Sequence, residues 1–552
     1  MKKTTKLTAM LLAAVCSLVI FAGCPAKEDP TATTTAASTG ETPAPDFTGR
    51  LSGYTVVYPG FSAASIRDNA TKLAKLIGCE AKADKGASGD YADDGGLEIL
   101  VGDTNRPESA AAKDALTAAG SKRAYNYSVT IADNNRIVIV GDKPDAVAQA
   151  VSDLIEKYIE KRDDGSHLLL AKGESISDGY DFPLITASNG VRFRTELISQ
   201  IYTPKKTPGK EKGCQYPKVI ELQHNGEYNG MLIATYESDD SGFRVSRSTD
   251  GGQTWKPAMM AVEKMDSSLT QHWEPHLFEL PCQVGDMPEG TILLSGTTIS
   301  RDLSTKSHVT IWRSFNQGKK WEQYSIVAEA GGLGEGLWEP CILYENGYLY
   351  CFYSDDSDPK HDQKLVYKRS KDGIRWTDFT ECVAMDDPIY RPGMISVVKM
   401  NNGKFFASYE LLDGPMAEPH TDRIYYKVVD TIDGDWNPSD PGKLLVPRGG
   451  ENYIGSAPWC GYLPGIGENG IVFVTANRGG NKFIYISFDY GETFEAIENP
   501  LPYVDRNTGY SPSFFASADG KTLFYAQTVP GEKKLNKIMF AKIRIEEAFE
   551  LK

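Results

Sequence analysis

Two glutamates stand in settings suited to acid and nucleophile chemistry: Glu339 in Gly-Leu-Trp-Glu-Pro (336–340) and Glu410 at the end of Ser-Tyr-Glu (408–410). Cleaving a glycosidic bond takes two carboxyl groups. One must be protonated beside the leaving oxygen, and the other must be ionised to attack carbon or to activate water. Crowding of like charges raises the pKa of one member and so supplies the acid. Further candidates for the same region are Glu237, Glu274, Asp355, Arg391, Asn477, Arg478, Gln527 and Tyr510, with Trp273, Trp338, Tyr390 and Tyr409 beside them. Carboxylates, amides and aromatic faces together suit a sugar, whose hydroxyls need donors and acceptors and whose C–H faces stack on rings.

These residues lie far apart in the chain, so the elements that carry them must converge. A repeat over residues 190–552 predicts how. An x-Pro step recurs at Pro217, Pro275, Pro340, Pro392, Pro458 and Pro512, at intervals of 58, 65, 52, 66 and 54 residues. Most copies lead into an apolar strand, a Gly-containing turn and a second apolar strand, and each interval is long enough for a four-stranded blade. A second pattern, Ser-x-Asp-x-Gly-x-Thr-Trp, runs from Ser248 to Trp255, with weaker copies starting at Ser314, Ser370 and Ser487. It is read as a turn signal: Ser and Asp bond turn backbone, Gly allows the bend, and Trp packs between blades. Six repeats predict a mainly β fold, a six-bladed β-propeller over 190–552. The start of each first strand and the end of each second strand share one face of such a disc. That places Glu339 of blade three beside Glu410 of blade four. Long inserts at 277–290 and 413–422 are candidates for closing one end of a groove.

Three stretches carry a family resemblance: "GLWEP" (336–340), "YSDDSDPKHDQKLVYKRSKDG" (353–373) and "YRPGMISVVKMNNGKFFASYE" (390–410). They resemble family 93 of the glycoside hydrolases, the exo-α-1,5-L-arabinanases, and the eight-residue turn pattern resembles the Asp boxes of sialidase-type propellers. The resemblance implies a six-bladed sialidase-type propeller that releases arabinobiose from linear arabinan with retention. It also implies Glu339 as acid/base and Glu410 as nucleophile. Arg391, Tyr510, Glu237, Glu274, Trp338, Asp355, Gln363 and Asn477 are the expected substrate-binding residues. His361 stands in the same stretch as a loop residue or a ligand.

Residues 50–182 read differently. A short apolar strand at 97–101, a hairpin around Asn134-Asn135 and a helical repeat of Val147, Val151, Leu154, Ile155 and Tyr158 predict a small α/β accessory domain. It resembles the domain that precedes the catalytic one in several glycoside hydrolases, and it carries no catalytic constellation. Ahead of it, Lys2, Lys3 and Lys6 precede an apolar run that ends in Phe21-Ala22-Gly23-Cys24. This is a secretory signal pattern over 1–23, and its end resembles a lipoprotein lipobox with Cys24 as the lipidated residue. Residues 24–49, rich in Thr, Ala, Pro, Ser and Gly, read as a flexible tether. The expected location is the outer surface of a bacterial membrane, held by a lipid anchor.

Composition bounds the partners. The formal net charge of −15 disfavours a phosphate backbone, so no nucleic-acid partner is expected. The expected partner is a polysaccharide, the expected state a monomer, and no cofactor or metal is called for. Nine cysteines fall to seven once Cys16 and Cys24 are set aside, with no CxxC pair, which argues against a metal cage or disulfide scaffold. His272 and His276 are four apart, but in a strand they do not share a helical face. Two rival functions remain at this level. A sialidase shares the fold but needs an arginine triad, and no arginine precedes Pro217. A non-catalytic glycan-binding lipoprotein would keep the cleft without turnover. Glu339→Gln separates the last reading from an enzyme: kinetics should show turnover abolished while titration shows sugar binding largely retained.

Overall fold

Central strands buried on both faces need continuous apolar runs, and outer strands need alternation. Both patterns occur here. All nine residues of Ile292–Ser300 are buried, whereas Asn536–Glu546 alternates between buried and half-exposed positions. The computed structural model describes residues 49–84, 91–120, 123–162, 165–168, 175–182, 184–204, 214–238, 243–259, 268–387, 389–414, 422–449, 455–476, 483–501, 510–530 and 536–547. The leader, Cys24, nearly all of the tether, and Asn477 with Arg478 lie outside these residues.

Six antiparallel sheets follow one another from Gln215 onward, and they form a six-bladed β-propeller. Their inner strands are Gln215–Glu221, Leu269–Glu279, Leu337–Glu345, Arg391–Lys399, Trp459–Leu463 and Ser513–Ala516. Blades one to five each take four consecutive strands. The sixth does not. It combines Ser513–Ala516, Thr522–Pro530 and Asn536–Glu546 with Arg192–Tyr202 and Leu184–Thr186 from before blade one. Arg192 pairs with Glu546 and Tyr202 with Ile538, so the ring is closed by a β-ladder between the two ends of the propeller chain. The x-Pro repeat does not reveal this closure, because Arg192–Tyr202 belongs to no repeat of its own.

The Asp-box turns connect third to fourth strands at the rim. In the first, Ser248 Oγ donates to Asp250 at 2.7 Å and accepts from Gly252 N–H at 2.9 Å, and Trp255 Nε1–H donates to Gly252 O at 3.0 Å. The turn from Ser487 repeats the Ser–Asp–Gly bonds with Asp489 and Gly491. Blade six joins its third and fourth strands from opposite ends of the chain, so no such turn is possible there.

Ahead of the propeller, six strands order as Ala81–Ala83, Thr55–Tyr58, Glu98–Val101, Ile137–Gly141, Tyr125–Ile131 and Ser175–Tyr180. Helices Ala64–Ile77, Pro107–Ala119 and Pro144–Asp153 accompany them. Asn135 has φ +65° at the hairpin turn, the conformation that Asn tolerates best among non-glycine residues. This α/β layer meets blade six through Arg194, which donates to Asp153 at 3.1 Å and to Glu546 at 2.8 Å.

The insert at 277–290 does not lie on the face that carries the candidate residues. It joins the end of the first strand of blade two to its second strand, on the opposite face, so it cannot close a groove over Glu274 and Glu339. The 413–422 insert is on the correct face, and residues 415–421 of it fall outside the described set.

Gly252 has φ +91°, and a Cβ there would lie 2.3 Å from Phe540 Cε1. Left-handed strain and overpacking add, so Gly252→Ala should lower unfolding free energy by about 3 kcal/mol, measured by denaturant titration.

Candidate active site

Each inner strand has a left-handed residue at or before its midpoint: Tyr216 (φ 52°), Glu274 (57°), Glu339 (56°), Met394 (60°), Ala457 (48°, preceded by Ser456 at 72°) and Ser511 (51°). Such a residue costs about 1–2 kcal/mol. Five of the six also precede a proline, whose Cδ already restricts the residue before it. Bulges in the ladders at Glu274, Glu339 and Met394 accompany the conformation and re-aim the side chains. The six residues correspond to the x-Pro repeat with one correction. In blade four the left-handed residue is Met394, followed by Ile395, and Pro392 lies two residues upstream. Pro392 is therefore out of register with the other prolines, and the spacing on either side of blade four is 55 and 63 residues instead of 52 and 66.

The left-handed turns leave backbone N–H groups pointing at the preceding blade, and acidic side chains accept them. Glu274 N–H donates to Glu237 at 2.7 Å, Glu339 N–H to Glu274 at 2.8 Å, and Ala457 N–H to Glu410 at 2.6 Å. Met394 N–H meets both Glu339 at 3.2 Å and Ser354 Oγ at 3.1 Å. Such bonds contribute about 0.5–1.5 kcal/mol to a neutral carboxyl and about 1.5–3 kcal/mol to an ionised one, comparable to the backbone strain.

Glu339 and Glu410 flank one peptide unit. Glu339 accepts the N–H of Met394, and a Cβ on Gly393, the residue before it, would lie 3.1 Å from Glu410 Oε1. The same Cβ would lie 2.9 Å from Gln363 Nε2. Gly393 pairs with Glu410 across the sheet, as Trp338 pairs with Ser354 in blade three, so glycine here makes room for the carboxylate.

Burial and the nearby Glu339 charge push Glu410, 8% exposed, up to about 7, against the pull of the Ala457 N–H. Burial also raises Glu339, but Ser354 Oγ–H at 2.6 Å, the Arg391 guanidinium and Met394 N–H all favour its charged form. The donors thus support charge on Glu339 more than on Glu410. Burial raises Tyr510, reinforced by Glu410 and Glu339, and Ser456 hydrogen-bonds both Tyr510 and Glu410. Lys218 is depressed by burial to about 7. Its Nζ donates to Ser511 Oγ at 3.0 Å and sits 4.2 Å over the Trp459 ring.

The stretch after Tyr353 braces this arrangement. Asp356 accepts from Trp338 Nε1–H at 2.9 Å, Asp362 lies 3.6 Å from Arg391, and Gln363 Nε2–H donates to the Pro392 carbonyl at 2.8 Å. Buried Lys364 ties the loop down through Asp358 at 2.7 Å and Glu381 at 3.1 Å. Asp358, His361 and Glu381 are close enough to hold a cation, and the Lys364 ammonium already bonds two of them. His361 Nδ1 contacts the Met385 carbonyl at 2.7 Å.

The expected site residues thus divide. Glu339, Glu410, Arg391, Tyr510 and Trp338, the last stacked on Trp273 at 6.0 Å, converge on the mouth. Glu237 and Glu274 are there too, committed to backbone N–H groups. Gln363 is 1% exposed behind Gly393, with Oε1 lacking a partner among the described residues. Asp355 is buried, and its Oδ1 caps its own loop, accepting from Ser357 N–H at 2.9 Å and Oγ–H at 2.6 Å. Gln527 accepts from Asn499 Nδ2–H at 2.7 Å, away from the pair. Ser354, Gly393, Ser456 and Lys218 were not singled out from sequence. Ser354 was within reach of the same topological reasoning, since it pairs with Trp338, one residue before Glu339.

No protein-family model matches the chain, and no curated protein matches it. Solved structures do. A glycoside hydrolase family 93 α-L-arabinofuranosidase of Fusarium graminearum, solved with arabinobiose, aligns at 25% identity and TM-score 0.55, over 63% of this chain and 98% of that one. A Penicillium chrysogenum α-L-arabinanase, also with arabinobiose, aligns at 26% identity and TM-score 0.55 over the same shares. The propeller architecture is thus that of the family 93 structures.

Ser354→Ala removes a donor to the charged form of Glu339. The Glu339 carboxyl should then titrate about one pH unit higher, read by 13C NMR of Glu-labelled protein.

Proposed function

We propose that this protein is a retaining, exo-acting glycoside hydrolase that cleaves α-1,5-linked L-arabinan and releases arabinobiose. The observation that carries the reading is the pair Glu339 and Glu410, both brought by adjacent blades to the Gly393–Met394 peptide. The two arabinobiose-bound neighbours, similar at 25% and 26% identity, supply the sugar class. A sialidase would need an arginine clamp, and Arg194 is engaged with Asp153 and Glu546 in blade six.

In this reading Glu339 protonates the leaving oxygen while the Glu410 carboxylate attacks the anomeric carbon. The C–O bond breaks, and a covalent glycosyl ester forms on Glu410. Glu339, now ionised, takes a proton from water, whose oxygen displaces Glu410 and restores the pair. Attack requires Glu339 protonated and Glu410 ionised, so the pair must carry one proton between them. Arg391, Trp338 and Tyr510 line the approach and are proposed to contact sugar. The α/β layer over 50–182 is read as a packing partner. Lipidation at Cys24 with the tether beyond it would hold the enzyme at the outer membrane surface.

Product analysis on debranched linear arabinan, with sialyllactose in parallel, tests the reading. Arabinobiose from wild type and none from Glu410→Ala is expected. Sialic acid release would move the nucleophile to Tyr510, and binding without turnover would leave a glycan-binding lipoprotein. Azide with an activated aryl substrate tests the roles: Glu339→Ala should be rescued with a retained-configuration azide, Glu410→Ala with an inverted one. Because both members must share one proton, kcat/KM should be bell-shaped, falling as pH rises through about 7 when that proton is lost.

A further inference from the structure

Glu274 sits at the mouth with one carboxyl oxygen bonded to protein. Oε2 accepts the N–H of Glu339 at 2.8 Å and lies 3.0 Å from Thr297 Oγ1. Glu274 is itself left-handed and held from behind, its own N–H donating to Glu237. Glu339 therefore owes its backbone conformation to a two-step ladder running from blade one through blade two. Glu410 does the same for Ala457, so the contact is a repeated device of the fold.

The surroundings of Glu274 disfavour charge. Glu237 and Glu339 face it from the neighbouring blades, and Tyr216 and Tyr510 approach from blades one and six. Among the described residues no cation forms an ion pair with it. Lys218, the cation whose field it feels, is bonded to Ser511 and stacked on Trp459. A neutral carboxylic acid still offers a carbonyl oxygen to the Glu339 N–H without adding a further negative charge to the crowded mouth beside Glu339 and Glu410.

We propose that Glu274 is a positioning residue, a neutral carboxylic acid that holds the left-handed backbone of Glu339 in place from the neighbouring blade. This rests on the reading of Glu339 as acid/base. Glutamine at 274 reproduces a neutral acceptor, and leucine removes it. Glu274→Gln should keep kcat within about threefold of wild type with the same pH profile, whereas Glu274→Leu should lose about 100-fold in kcat at a KM within about threefold. Circular dichroism of both variants checks that they fold. In 13C-Glu-labelled wild-type protein, the carboxyl resonance absent from Glu274→Gln should be that of a protonated acid at pH 7. The Glu339 amide should exchange faster with solvent in Glu274→Leu than in Glu274→Gln. Equal kcat losses in the two variants, a loss confined to KM, or an ionised resonance at pH 7 would each overturn the proposal. If wild type turns over no glycan, the reading of Glu339 fails, while the carboxyl resonance and the amide exchange still decide whether Glu274 is neutral and holds that backbone.

Discussion

Six strained residues, one at or before the midpoint of each inner strand, organise this molecule. A left-handed residue, most often before proline, bends each strand into the mouth of the disc and leaves an N–H aimed at the preceding blade. A buried N–H without an acceptor would cost as much as the strain itself, so the fold needs acceptors in that ring. In blades one to four those acceptors include glutamate side chains. The convergence of carboxylates at the mouth is thus a structural requirement first, and a cluster with raised proton affinity is its chemical consequence.

That consequence works against stability and toward function. Burial and mutual repulsion raise Glu274, Glu339 and Glu410 together. The donors are then distributed unevenly. Ser354 and Arg391 support charge on Glu339, while Glu410 has the Ala457 N–H and Ser456. Uneven support of two neighbouring carboxyls is what lets one hold a proton that the other has lost. Beneath them Lys218 is buried against Ser511 and Trp459 and is itself depressed toward neutrality, so it does not simply cancel the acidic ring.

Rigidity comes from closure at two scales. The ladder between Arg192–Tyr202 and Asn536–Glu546 zips the disc shut, and the Arg194 link to Asp153 and Glu546 ties the α/β layer to that seam. Locally, the 356–363 loop binds Trp338, Arg391 and the Pro392 carbonyl to one another, with Lys364 as its anchor. Asp355 adds a local cap at the start of this stretch through Ser357.

Much of this was legible in the chain. Period-two apolar runs and recurring x-Pro steps specify strands and their number. Blade order then places a first-strand start beside a neighbouring second-strand end, and Glu339 meets Glu410 by that rule. Local patterns suffice there because strand formation and turn chemistry depend on residues close in sequence. The register of blade four did not follow, since Pro392 imitates the motif while a bulge at Met394 performs its role. Nor did the pairing of Arg192–Tyr202 with the last blade, the burial of Asp355, or the commitment of Glu274 to the Glu339 backbone. The seam joins groups 352 residues apart and the Glu274 contact groups 65 apart, so the strand edge or N–H left unsatisfied is settled only once the blades meet in three dimensions.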